Sequence, residues 1–336
     1  MTVPALAHAP AAMPAQRPRA WPAILALYLL APLIPECLAT YNTPPLIFLL
    51  NPLTFIFLPA FYGSSALLLR EALYRRGCSW PRAILLGAAF GALNEGVVAF
   101  TWFMAAGVPG FLASYGRAFG VNWVWALMLT LFHIVYSMLI PIFLAERCFP
   151  RVAHVPWLGR KGIIAFAVWL AFTLALSLLG PIYRPLRAAS LAWALLLIGV
   201  ALALPARRAI KTTAPRAGRP PRLWTLRALG FGATLAFFLA LYVLPHLIPL
   251  AALTALLLLA GMVLAGWLLW RWRRAAGWND RHTLALVSGM LAFGIALSPT
   301  QIATGEPVLA ALFLAFLIWL AIRTARQPAP AFDALA

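Results

Sequence analysis

An all-α, polytopic membrane protein is the fold class that this 336-residue sequence predicts. Three observations lead there. Hydrophobic residues make up 64% of the chain and charged residues only 10%, more apolar character than a water-soluble core needs. Apolar runs of about 20 residues, the length that crosses a bilayer as a helix, recur from one end to the other. The charges fall mostly between those runs, as membrane topology requires.

Taken in order, ten spans are predicted: 21–40, 46–69, 82–105, 121–146, 162–182, 187–205, 228–245, 247–270, 283–299 and 306–323. Arg17 and Arg19 precede the first, which resembles a signal peptide. Pro35-Glu36-Cys37 at its end suits neither a cleavage site nor a lipoprotein box, so an uncleaved helix is expected. The second opens at Asn51-Pro52, a natural break, and the seventh and eighth meet at Pro245-His246. With the N-terminus inside, and basic residues at span ends counted with the adjoining segment, 23 of the 26 basic residues fall on the inner side and 3 on the outer. That asymmetry places both termini in the cytoplasm, N-in/C-in, in a cell (inner or plasma) membrane.

The expected organisation follows. Residues 1–20 form a disordered tail and 21–146 a four-helix, polar-centred unit. Two further helices occupy 147–205. A Pro-rich linker with seven basic and no acidic residues covers 206–227. A four-helix scaffold at 228–323 precedes a second tail at 324–336. The net charge of +19 is spread as a topology signal and carries no zinc-finger or RNA-binding pattern, so nucleic acid is excluded as a partner and the lipid bilayer is the one implied. Cys37, Cys78 and Cys148, an odd number without CxxC spacing, make no disulfide framework.

Polar residues gather in the first four spans: Glu36, Asn51, Arg70-Glu71, Asn94, Glu95 and His133. Spans five to ten hold no acidic, basic or histidine residue away from their ends. At 1.5 Å per residue, Glu95 lies roughly 20 Å into span three and His133 roughly 18 Å into the antiparallel span four, so both reach the midplane. An ionisable residue there marks a functional site or a hydrogen-bonded packing pair. Gly87, Gly91 and Glu95 follow at i, i+4 and i+8, a small-residue stripe that turns the glutamate inward. His133, Ser137 and Pro141 share a face in the same way, and the proline frees a carbonyl or kinks the helix beside the histidine. Glu71 and Arg75 are spaced for an ion pair at the inner end of span two. Glu36 is expected at the outer interface, and Asp280 and Glu306 at the surface.

Three elements in order resemble the CAAX-processing and bacteriocin-immunity membrane metalloproteases and the related PrsW-type proteases. They are Arg70-Glu71 with Arg75, Phe90 with Asn94-Glu95, and His133 with Ser137. The pattern departs from those families at Arg70, which stands for a glutamate, at Asn94, where the acid is displaced to Glu95, and at Ser137, which stands for Asn or Asp. The resemblance implies zinc, held by Glu95 and His133, with Glu71 activating a water, and Arg75, Asn94, Ser137 and Glu36 in support. Its implied substrate is a membrane-protein or prenylated-peptide bond. The residues themselves leave two other classes open. One is a transporter or small-molecule binding protein using the midplane Glu–His pair, for which no repeat and no clearly broken helix is evident. The other is a non-catalytic membrane scaffold.

Overall fold

The computed structural model describes residues 19–104, 110–179, 184–205, 219–300 and 305–326. The chain is all-α apart from a two-residue hairpin that pairs Arg117–Ala118 with Val121–Asn122. Among the described residues, nine helices are long and apolar enough to cross a membrane. They are α1 (Trp21–Ala39), α2 (Pro52–Arg76), α4 (Trp123–Cys148), α5 (Arg160–Leu178), α6 (Pro185–Ala203), α7 (Leu223–Tyr242), α8 (Ala251–Arg273), α9 (Asp280–Thr300) and α10 (Glu306–Arg326). Another helix, α3, runs through Trp80–Gly91 and continues as Ala92–Val98. It carries Arg82, Asn94 and Glu95 and is not among the nine.

Local chemistry sets the ends. The expected break at Asn51-Pro52 is a cap: Asn51 Oδ1 accepts from the Leu53 and Thr54 amides, at 3.0 and 3.2 Å. The segment before it, Pro45–Leu50, is a separate short helix, so the second span begins at Pro52 rather than at 46 and runs on to Arg76. Asn122 caps α4 by accepting from the Trp125 amide. The third span ends at Val98, short of the expected 105, because Phe100 takes a positive φ of 71° and turns the chain. Helix α7 starts at Leu223, inside the segment expected as linker, and Leu244–Leu247 forms a separate turn before α8. The tail 1–18, most of the linker (206–218) and 327–336 lie outside the described residues.

Two apolar cores share α1 and α4. One joins them to α2, α3, α5 and α6; the other joins them to α9 and α10. The small-residue stripe of α3 meets α4 backbone, since a methyl at Gly87 or Gly91 would lie 3.0 Å from the Cα of Ile134 or Thr130. Helices α7 and α9 approach in the same way through Gly230 and Gly289, with a carbonyl oxygen only 2.2 or 2.0 Å from where the missing Cβ would stand. Close backbone approach of this kind is how helices associate where the hydrophobic effect gives no driving force.

The basic end of the bundle, where α2 and α4 finish, is held by charge. Arg70 is fully buried and donates to Glu146 at 2.9 Å and to the Ala153 carbonyl at 2.7 Å, with the Trp157 ring 3.5 Å from its guanidinium carbon. Arg147 pairs with Asp280 across α4 and α9. Asp280 and Glu306, expected at the surface, are 7% and 2% exposed. Their helices begin against the bundle rather than in a free loop.

Candidate functional site

Four of the spans are not regular helices. Seven residues of α1 (Leu33–Ala39), five of α2 (Pro59–Gly63), seven of α3 (Ala92–Val98) and seven of α4 (His133–Leu139) are wound as π-helix. Prolines account for three of them: Pro35 lies within the first, Pro59 opens the second, and Pro141 follows the fourth. A proline lacks the amide that would continue the i→i−4 ladder, so the regular winding is interrupted beside it. The turn in α3 has no proline, and nothing in its sequence accounts for it as directly. The turn before Pro141 is the disturbance expected beside His133, and the other three were not evident in the sequence.

The π turns carry one buried hydrogen-bonded network. His133 Nε2 lies 2.7 Å from Glu95 Oε1, and His133 Nδ1 lies 2.7 Å from Ser137 Oγ. Asn94 Nδ2 reaches three acceptors: Tyr62 Oη at 2.8 Å, His133 Nε2 at 2.9 Å and Glu95 Oε1 at 3.2 Å. Tyr62 in turn donates to Glu36 Oε1. Glu36, Tyr62, Asn94, Glu95, His133 and Ser137 are all buried. The rings of Phe90 and Phe132 stand edge-on to the imidazole at 5.4 and 5.5 Å and close the space around it.

Each carboxylate has a second oxygen turned to a loop. Glu36 Oε2 accepts from Asn42 Nδ2 at 2.8 Å and Thr43 Oγ1 at 3.1 Å. Glu95 Oε2 accepts from Thr101, whose hydroxyl accepts from the Trp125 indole at 2.9 Å. Tyr41 and Phe100, the residues immediately before Asn42 and Thr101, both hold positive φ, at 54° and 71°. Such conformations cost of order 1–3 kcal/mol and persist where the surroundings impose them. Here they bring a side-chain donor onto each carboxylate. Tyr41 donates to the Gly294 carbonyl of α9, and burial, with Glu306 nearby, pushes its phenol up to about 12.

The geometry sorts the sequence-predicted residues. Glu95, His133, Asn94 and Ser137 come together, and Glu36, expected at the outer interface, is buried in the protein and joins them through Tyr62. Glu71 does not. It sits nine residues beyond Tyr62, about 13 Å along α2. There it accepts from Arg75 at 3.0 Å and from the Trp157 and Leu158 amides at 2.6 and 3.2 Å. Its Oε1 ties the 149–158 loop to α2, and its Oε2 is held by Arg75 of the same helix. Tyr62 was missed because an aromatic in PAFYG looks like core packing. Glu146, the partner of Arg70, was missed because it marks a helix end.

The donor set does not suit the zinc that the motifs imply. A catalytic zinc takes three protein ligands. Among the described residues, no group of three or more His, Cys, Asp or Glu side chains is placed to hold a metal ion. Asn94 and Ser137 occupy the other contacts of the imidazole. A Ser137–His133–Glu95 chain of bonds also has the order of a nucleophilic triad, but Ser137 is fully buried within its own helix, with no approach for an acyl group.

Residues 25–335 match an uncharacterized membrane protein family. The chain belongs to that family. The match runs from within α1 past the end of α10. It names no CAAX-processing or PrsW-type protease. No curated protein and no solved structure matches the chain.

Proposed function

We propose that this family member is a membrane carrier that takes up and releases a proton, or a small cation in its place, at the Glu36–Tyr62–Asn94–Glu95–His133 network. The observation that carries this reading is that every one of these side chains lies on a π-helical turn. Such turns occur mostly as single interruptions of α-helices, frequently at functional sites. Inside a membrane, non-regular backbone is tolerated where it faces protein or a polar cavity.

Charge balance supports the same reading. Two carboxylates and one imidazole are bonded together, and no Lys or Arg is among their bonded partners in the described residues. With the imidazole neutral the cluster holds two negative charges, and with it protonated, one. A buried excess of charge costs several kcal/mol per ion, so the cluster is stabilised by an added positive charge.

Asn94 supplies the exchange mechanism. Its amide has two hydrogens for three acceptors within reach. With the ring doubly protonated, Nδ1 donates to Ser137, Nε2 donates to Glu95, and the amide serves Tyr62 and Glu95. When the Nε2 proton sits on Glu95 and bonds back to the single Nε2 lone pair, the ring is neutral and the amide still serves Tyr62 and Glu95. The proton shifts without leaving a buried donor idle. Access is supported by a groove of about 730 Å³ between the 45–58 segment and α5, whose polar lining includes Asn42 and Thr43, the partners of Glu36.

Infrared difference spectroscopy between alkaline and acid conditions tests the reading. A buried protonated carboxyl should appear on acidification and be absent from Glu95→Gln. A spectrum unchanged by that substitution would remove the proton from Glu95.

A further inference from the structure

Away from the network, at the basic end of the bundle, Cys148, Phe149, Pro150, Arg151, Val152 and Arg323 line an open pocket of about 530 Å³. We infer that this pocket binds the phosphate of an anionic phospholipid, with Arg151 and Arg323 as its cationic contacts. Among the described residues neither guanidinium has a carboxylate within ion-pair distance, and no acidic side chain lines the pocket. Arg323 is already positioned. It donates to the Cys148 carbonyl at 2.8 Å and lies 5.2 Å from the centre of the Trp319 ring. The opposite wall is fixed as well, because buried Arg70 holds the Ala153 and Val155 carbonyls and the Trp157 indole holds that of Val152. A site held in place before binding loses little ordering entropy when it fills.

The level of the pocket argues for a lipid as the source of the phosphate. Arg323 stands 17 residues into α10, roughly 26 Å along a helix that crosses a core of about 30 Å. Trp319, 47% exposed, sits one turn earlier, where interfacial aromatics collect. Ile318 and Ile322, 52% and 49% exposed, offer an apolar path beside it for an acyl chain. Basic pockets between membrane helices recognise anionic headgroups in this way.

Thermal unfolding of the detergent-purified full chain tests the site, with short-chain phosphatidylglycerol, short-chain phosphatidylcholine and inorganic phosphate as separate titrants. Phosphatidylglycerol alone should give a saturable rise in melting temperature. Arg151→Gln should weaken its apparent affinity about fivefold, the effect of about one surface cation, and Arg323→Gln at least as much. Arg151 is exposed, so its variant remains informative even where Arg323→Gln, which also loses the Cys148 bond, fails to fold. Equal responses to the two lipids, or a phosphatidylglycerol curve unmoved by Arg151→Gln, would overturn the site. Saturation by inorganic phosphate at the same concentration would overturn the lipid as its source.

Discussion

Arg70 is held as a buried cation by two carboxylates, three carbonyls and two aromatic faces. Removing it leaves Glu146 with no full countercharge at the same distance. Arg70→Gln should therefore cost about 3–5 kcal/mol, read as a lower denaturation midpoint, whereas Arg75→Gln, whose side chain is 43% exposed, should cost under about 1 kcal/mol. Equal effects would mean that Arg70 is not the clamp of the basic end. At the network, Asn94→Leu fills similar space but removes the shared amide. Tyr62 and Glu95 would then each lose a buried partner, a loss of about 1–3 kcal/mol per unsatisfied group. Calorimetry that finds Asn94→Leu as stable as the native chain would show that the amide holds nothing together.

Helices differ in how much of their form the sequence carries. The Glu95–His133 contact was legible because a 1.5 Å rise turns residue counts into depth, and because Gly87 and Gly91 mark the face that must meet another helix. Pro141 announced a disturbance beside His133. The π turns themselves were not legible: one extra residue per turn leaves composition unchanged, and a stretch of five or seven residues is too short to show its longer period. Glu36 looked interfacial because its position counts only along α1, while its true surroundings come from α2 and from the positive-φ turn at Tyr41. In the scaffold, Gly289 carries a comparable constraint. An alanine there would place its Cβ 2.0 Å from the Arg227 carbonyl, so α7 and α9 would have to separate. Gly289→Ala should lower the melting temperature by several degrees, while Gly261→Ala, with open space around it, should leave it unchanged or raise it. Matching behaviour of the two variants would refute the backbone-to-backbone contact.

Across the whole molecule, the basic residues predict orientation and the network predicts chemistry. A reporter fused after residue 215 should be cytoplasmic and one near residue 112 external, from the excess of basic residues in one set of loops. The reverse result would place the basic-end pocket in the outer leaflet. The central claim is that two carboxylates and an imidazole on three π turns, linked through Tyr62 on a fourth, exchange a proton that the fold keeps from bulk water. Potentiometric titration of the purified protein in unbuffered detergent solution, native against Glu95→Gln, addresses it most directly. The substitution keeps shape and hydrogen-bonding capacity and removes only the charge. On acidification the native protein should take up about one more proton per chain than the folded variant, the single shared proton that the bonding pattern around Asn94 accommodates. Identical titration curves from two equally folded proteins would contradict the account and leave Glu95 as a packing residue.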